Sequence, residues 1–317
     1  MPFFSIITPV LNRPRLIRRT IESILAQDFK DWEMIIVDDA STDETPDVIL
    51  TYADRGVKLV RSPGWVGHCR ARNIAIEHAV GEWVVPVDSD DELLPYALST
   101  MKEKIDKAGP HIDRLRFMTR LDNGQLTPDP PLVEEEWGYE DYLRFVDRSV
   151  GGSGETLSCV RRSTFAVVRY PDDRATMTQY HIDFAAEYRQ KVFPIVLRLY
   201  HQDAENQITY VPNAQRWLAM AEANSRSNGE ILARHGEALR RVAPRAYIAT
   251  LRAGAKYNFL AGRRRHALGL LMRVWRRNPF MVQAWALFAT GMLGPRVIAW
   301  ADGMRRLQHR RRLFAGK

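Results

Sequence analysis

Short apolar runs that each stop at a group of carboxylates constrain this chain more than any other feature. Residues 34–37 (Met-Ile-Ile-Val) run into Asp38-Asp39, and residues 83–87 (Trp-Val-Val-Pro-Val) run into Asp88-Ser89-Asp90-Asp91. Two further runs, residues 4–10 and 57–60, read as buried strands. Between the first two strands, after a turn at Asn12-Arg13-Pro14, Leu16, Ile17, Ile21, Ile24 and Leu25 recur at helical spacing. Val48, Ile49 and Tyr52 suggest a second helix, and residues 74–80 part of a third. Strands alternating with helices predict an α/β fold with a parallel, doubly wound sheet, whose ligands sit beyond the carboxyl ends of the strands. The acids fall at those ends.

After residue 110 the alternation loosens through Pro128-Asp129-Pro130-Pro131, resumes with a helix near residues 137–146, and crosses Gly151-Gly152-Ser153-Gly154. From about residue 213 the pattern is helical, with segments expected near 214–224, 229–242, 245–261, 264–277 and 279–293. We therefore expect a catalytic domain over 1–212, with a ligand half at 1–110 and an acceptor half at 111–212, then a basic helical region over 213–317.

Charge follows the same division. The formal net charge is +8, but residues 230–317 carry 19 Lys/Arg against three acids, while the first 229 carry 27 against 35. An acidic first part suits a divalent cation, and a basic last part suits an anionic membrane surface. Cys69 and Cys159 stand 90 positions apart with no metal-ligand spacing, which argues against a disulfide framework or a zinc site. The first residues lack a basic segment and a small-residue cleavage site, so the expected location is cytoplasmic.

Three carboxylates crowded at Asp88, Asp90 and Asp91 repel one another unless something cationic joins them. Such oxygen ligands suit Mn²⁺ or Mg²⁺, which on a diphosphate stabilises the charge of a departing nucleoside diphosphate. The competing reading is a cap, by Ser89, Asp90 or Asp91, on a helix starting near Glu92. Asp38 and Asp39 suit hydrogen bonds from a nucleobase or ribose, or else an Asx turn into a helix after Thr42. Gly64 and Gly67 permit close approach of a phosphate, and Arg70 and Arg72 offer forked donors beside Asn73.

Together these segments resemble glycosyltransferase family 2. The matching blocks are Ser5-Ile6-Ile7-Thr8-Pro9-Val10-Leu11-Asn12-Arg13, Ser23-Ile24-Leu25-Ala26-Gln27-Asp28-Phe29 and Glu33-Met34-Ile35-Ile36-Val37-Asp38-Asp39-Ala40-Ser41-Thr42-Asp43, followed by Ala71-Arg72-Asn73-Ile74-Ala75-Ile76, Gly81-Glu82-Trp83 and Val87-Asp88-Ser89-Asp90-Asp91. The resemblance covers residues 4–96 and weakens beyond. It implies a GT-A fold, Rossmann-like and mainly parallel, with the C-terminal helical region appended. It also implies an inverting, metal-dependent transfer of a sugar from a nucleotide diphosphate, expected to be UDP, to a hydroxyl of a glycan or lipid-linked acceptor in polysaccharide biosynthesis.

Carried over position by position, the resemblance puts Pro9, Val10 and Leu11 around the nucleobase, Asp38 and Asp39 on base or ribose, and Arg72, Asp88 and Ser89 on the donor. Asp88 and Asp90 form the DxD pair, with Asp90 the first choice of metal ligand, Asp91 the second and His201 a third. The family's usual Glu-Asp pair is missing. The corresponding stretch is Tyr170-Pro171-Asp172-Asp173 followed by residues 179–184, where Asp183 is the candidate base and His181 its runner-up. Asp183 with Glu187 also reads as an exposed acidic helix face. Residues 197–201 followed by Asn206-Gln207-Ile208-Thr209 look like the family's late strand and loop.

The apolar stretch 279–293 is too short to span a bilayer, and its arginine-rich flanks, including His309-Arg310-Arg311-Arg312, suit helices lying at a membrane surface or packed as a subdomain. A catalytically inactive relative that binds a nucleotide sugar or a partner is the alternative function. A nucleic-acid partner is not expected, because the acidic first part repels phosphate and the tail carries no recognition motif.

Overall fold

In a computed structural model, the structure describes residues 1–150, 154–171, 177–201 and 214–301, the first six residues of the last stretch by backbone alone. The chain divides into two compact units, Met1–Ala204 and Glu205–Lys317. The expected boundary at 212/213 lies outside the described residues, as do Gly151 to Ser153, Asp172, Asp173, Asn206 to Thr209 and residues 309–312.

The first unit begins β1 (Phe4–Val10), α1 (Pro14–Leu25), β2 (Trp32–Asp38), α2 (Thr45–Leu50), β3 (Val57–Arg61), α3 (His68–His78) and β4 (Trp83–Pro86). It continues with β5 (Glu92–Leu93), α4 (Ala97–Ala108), β6 (Ile112–Leu121), β7 (Leu126–Thr127), β8 (Glu135–Trp137), α5 (Tyr139–Arg148), β9 (Leu157–Arg161), α6 (Thr178–Glu187) and β10 (Arg189–Tyr200). These strands form one sheet in the order β3-β2-β1-β4-β9-β6-β10-β5, with β7 on β6 and β8 on β10. The β3-β2-β1-β4 part is parallel, in the register Ile6 to Met34 and Val85. β9 joins β4 and β6 antiparallel, and β10 returns parallel to β6.

Near-continuous Val/Ile/Leu runs suit parallel strands that bury both faces. One face packs Ile6, Met34, Ile36, Val85, Leu115, Phe117 and Phe193 against Ile17, Ile21 and Ile24 of α1. The other packs Ile7, Ile35, Val37 and Val84 against Ala71 and Ala75 of α3 and Tyr180 and Phe184 of α6. Gly81 is required by close approach, since a Cβ there would stand 2.7 Å from the Ser5 backbone nitrogen.

In the second unit, α7 (Ala214–Val242), α8 (Pro244–Leu260), α9 (Arg264–Trp275) and α10 (Val282–Leu293) follow one another. The sequence reading broke the first of these near residues 225–228, but α7 runs through. Asn224 and Asn228 bond back to the carbonyls of Met220 and Asn224, at 2.9 and 2.8 Å, so the polar run stays inside the helix. On and beside α10, Phe280, Val282, Trp285 and Leu293 are exposed. Among the described residues, no helix is long and apolar enough to cross a membrane.

Candidate active site

Four loops gather at the carboxyl ends of β1 to β4, and their own polar side chains tie them together. After β1, Asn12 takes a left-handed backbone with φ 52°, and its Oδ1 accepts from the Thr42 amide at 2.8 Å. Its own amide donates to Ser41 Oγ at 2.8 Å, and the Asp39 amide donates to the Val10 carbonyl at 2.8 Å. The 9–12 and 38–42 loops therefore form one wall. Val10 is buried, while Pro9 and Leu11 stay partly exposed.

The two acids after β2 have different surroundings. Asp38 is fully buried, accepts from the Ser41 amide at 3.1 Å, three residues on rather than the two of an Asx turn, and pairs with Arg61 at 3.2 Å. Asp39 reaches across to the loop after β3, where its two oxygens accept from the amides of Val66 (2.7 Å) and Gly67 (2.8 Å). Gly67, at φ 91°, stands immediately before α3, so Asp39 fixes the entry to the helix that carries Arg72.

No helix starts at Glu92; β5 lies there and α4 begins at Ala97, which removes the cap reading of Ser89, Asp90 and Asp91. The acid loop is instead held by α1 and the residue before it. Thr20 Oγ1 donates to the Asp91 carbonyl at 2.8 Å and Arg19 to the Asp90 carbonyl at 2.7 Å. Arg13 bonds Ser89 Oγ at 3.0 Å and pairs with Asp90 at 3.1 Å. One turn further along α1, Ser23 accepts from the Leu93 amide, and Gln27, just past the helix, holds the Leu94 carbonyl and the Leu98 amide.

The repulsion expected among the acids is met by arginines from three separate parts of the chain. Asp88 pairs with Arg72 of α3, Asp90 with Arg13, and Asp91 with Arg198 of β10 at 3.0 Å. Desolvation of Asp88 is outweighed by the guanidiniums of Arg72, Arg198 and Arg13, so its carboxyl is held below the usual range. Burial dominates at Asp90, and Arg13 does not fully offset it, so that carboxyl is raised. Asp91 is raised well above the usual range, because it has no exposed surface and neither oxygen has a well-aligned hydrogen bond. Oxygen donors at Asp88 and Asp90 fit a hard divalent ion. Asp91, enclosed against Arg198, does not present itself to one.

His201, just past β10, bonds Asp122 through Nδ1 at 2.6 Å and Glu92 through Nε2 at 2.7 Å. With both ring nitrogens engaged by carboxylates, His201 clasps β5 to the end of β6.

The start of α6 meets the acid loop through Arg72, which also contacts Met177 Sδ at 3.1 Å. One turn on, His181 feels Arg116, Arg114 and Arg72 on top of its own burial, and together these hold it well below its ordinary value, as a neutral imidazole. Asp183 lies two residues further, on the far side of a helix with roughly 3.6 residues per turn, beside Tyr139. The structure thus brings His181, Arg72, Asp88, Ser89, Asp90 and Asp91 into one neighbourhood, and gives Asp183 a different one.

Sequence reasoning passed over Arg13 and Arg198. An arginine inside the apolar run Leu197-Arg198-Leu199 was a usable signal, since Arg is almost never buried without a partner. Tyr200 was also missed; its hydroxyl feels Glu155, Asp88, Asp91 and Asp90.

The chain is similar to several known proteins. A β-1,3-glucosyltransferase of Campylobacter jejuni, named for GalNAc(5)-diNAcBac-PP-undecaprenol, is 39% identical over 35% of this chain and 37% of its own. An Escherichia coli enzyme named UDP-Glc:alpha-D-GlcNAc-diphosphoundecaprenol beta-1,3-glucosyltransferase is 37% identical over 27% of this chain and 34% of its own. The chain spans about a third of the length of these curated relatives. Among solved structures, Staphylococcus aureus TarS 1-349 in complex with UDP-GlcNAc superposes with TM-score 0.57 at 20% identity, covering 88% of this chain and 92% of that one, which shows a shared fold. The model of Glycosyl transferase family 2 matches residues 5–166, just over half of the chain and the stretch that builds the four loops. The chain belongs to glycosyl transferase family 2.

Proposed function

We propose that the protein transfers a sugar from a nucleoside diphosphate, UDP by preference, to a hydroxyl of a glycan or lipid-linked acceptor, inverting the anomeric centre, in polysaccharide biosynthesis. The observation that carries this reading is the locked acid loop. Asp88, Ser89 and Asp90 are fixed by Arg72, Arg13 and α1 at the strand ends, beside the wall made by residues 9–12 and 38–42. The UDP-glucose and the β linkages in the relatives' names support the donor and the inversion.

Pro9, Val10, Leu11 and Asp38 line the base side in this reading. Asp39 positions the loop before α3, and Arg72 and Ser89 order the acids around the diphosphate. Asp88 and Asp90 would hold Mn²⁺ or Mg²⁺, which when bound supplies positive charge for the leaving diphosphate. Asp91 stays paired with Arg198 inside the loop. Asp183 and His181 both stand as candidates for the acceptor's base: three guanidiniums oppose the imidazolium that His181 would become, while Asp183 lies on the opposite side of α6 from the acids, beside Tyr139.

The second unit fits an anionic membrane surface. Residues 238–301 contain no Asp or Glu, and Phe280, Val282, Trp285 and Leu293 are exposed among their arginines.

Nucleoside diphosphate release from a panel of UDP- and GDP-sugars, with Mn²⁺ or EDTA, tests the reading. Wild type should release it only with metal, Asp90→Ala should lose at least a hundredfold, and Asp183→Asn should retain metal-dependent donor binding while losing transfer. Metal-dependent binding with no release from any donor would favour the inactive, sugar-nucleotide-binding alternative.

A further inference from the structure

On the α3 and α6 face of the sheet, β6 places Arg114 and Arg116 two residues apart, hence side by side on one face. Both are buried, at 0% and 3% exposure. Neither has a carboxylate within ion-pair distance among the described residues. The two guanidiniums share a neutral acceptor, Gln190 Oε1, at 3.4 Å from Arg114 and 2.8 Å from Arg116, and Arg116 also reaches Thr156 Oγ1 at 2.8 Å. Aromatic rings supply the remaining walls: Phe184 at 3.5 Å and Tyr180 at 5.0 Å from the Arg114 guanidinium, and Tyr142 at 5.0 Å from that of Arg116.

Around this pair, buried polar atoms go unmet to a degree found nowhere else among the described residues. Arg114 Nε and Nη2, Arg116 Nη2, Gln190 Nε2, Tyr180 Oη and His181 Nδ1 all lack a hydrogen-bond partner. The arginine and amide nitrogens can only donate, and the phenol and imidazole can donate too. Gln190 Oε1 is committed to the arginines, which fixes its amide nitrogen as a donor. A buried, positively charged cluster of donors whose neutral acceptors, Gln190 Oε1 and Thr156 Oγ1, are already engaged calls for a ligand that accepts.

We propose that Arg114, Arg116, Gln190, Tyr180 and His181 form a binding site for an anionic group, phosphate or carboxylate, carried by the acceptor. Its assignment to the acceptor rests on the glycosyltransferase reading above. The site adjoins the donor acids through packed rings: Tyr180 lies 4.0 Å from Tyr170, whose ring stands 5.8 Å from the guanidinium of Arg72, the partner of Asp88. It is separate from the acid cluster itself, because its arginines lie on β6 and leave the counter-charging of Asp88, Asp90 and Asp91 to Arg72, Arg13 and Arg198.

The test is an anion titration of the full chain in metal-free chloride buffer, with inorganic phosphate and D-glucuronate as probes and the melting temperature as readout. Wild type should show a saturable rise with at least one probe. Phosphate alone would indicate a phosphate-bearing acceptor, and glucuronate alone a uronic-acid acceptor. Gln190→Glu sets a carboxylate between the two guanidiniums and should weaken the response at least tenfold while raising the melting temperature without anion. Arg116→Gln, the second variant, should weaken the response equally. No saturable rise in wild type would mean that the donors hold only water, and a response surviving in both variants would place the anion elsewhere; either overturns the proposal. Because the titration needs neither donor nor acceptor sugar, its failure is distinct from failure of glycosyl transfer.

Discussion

Asp39→Asn separates two roles that the family resemblance merges. In the structure Asp39 is 4% exposed and spends one oxygen on the Val66 amide and the other on the Gly67 amide, at 2.7 and 2.8 Å. Hydrogen bonds to an ionised group contribute about 1.5–3 kcal/mol each. Asparagine has one carbonyl oxygen, so it can satisfy one amide, and less strongly, while turning its own NH₂ against the other. The local loss should be about 2–4 kcal/mol from the same range. At about 1.4 kcal/mol per tenfold, amide exchange across residues 62–68 should accelerate by roughly thirty- to several hundredfold. Hydrogen exchange read by mass spectrometry on a peptide covering this loop gives the number directly, alongside a titration with UDP. Nucleotide affinity should fall in parallel, because the loop leads into the helix bearing Arg72. If exchange in the loop changes by less than threefold while UDP binding still collapses, Asp39 acts on the nucleotide and the anchoring argument is refuted.

The acid loop should also leave a mark on stability against pH. Asp90 and Asp91 have carboxyls raised by burial, so the folded state holds protons that the unfolded state has released. Their contribution is full below about pH 4, the ordinary carboxylate value, and is lost as pH rises through the raised folded values. Asp91→Asn should therefore gain on wild type as pH increases from 4 to 8 in urea unfolding, and a flat difference would contradict the burial argument. For the second unit, the full chain should sediment with vesicles containing phosphatidylglycerol but not with pure phosphatidylcholine. Salt and Trp285→Ala should each weaken the binding, and equal binding to both vesicles would remove the electrostatic component.

What was legible in the sequence is what depends on neighbours in the chain. Residues 4–10, 34–37, 57–60 and 83–87 declared themselves as strands because parallel strands buried on both faces need uninterrupted apolar runs, and each gave the position of the loop behind it. The motif blocks were equally visible, but their physical purpose was not. Ser23 and Gln27 look like ordinary helix-end residues until β5 and the Leu94 carbonyl arrive about seventy positions later. The α7 helix misled in the opposite direction: Ser225-Arg226-Ser227-Asn228 reads as a break, but the helix runs through with Ser225, Ser227 and Asn228 buried and Asn228 bonded to the Asn224 carbonyl.

The counter-ions mark the deeper limit. A tally of 27 basic against 35 acidic residues in the first 229 suggests that the acid cluster is short of positive charge. The fold overrides that tally, because Arg13, Arg72 and Arg198, from three separate parts of the chain, each turn to one of Asp90, Asp88 and Asp91. The converse holds one layer over, where Arg114 and Arg116 sit on an apolar strand with no acid beside them. Composition places negative charge where the structure is already compensated, and misses the buried positive charge that is not. Charge counted along a chain can therefore point to the region of a site, but the sign of the ligand it awaits is set by pairings the sequence does not display. The anion titration and the Asp90→Ala experiment examine those two pairings separately.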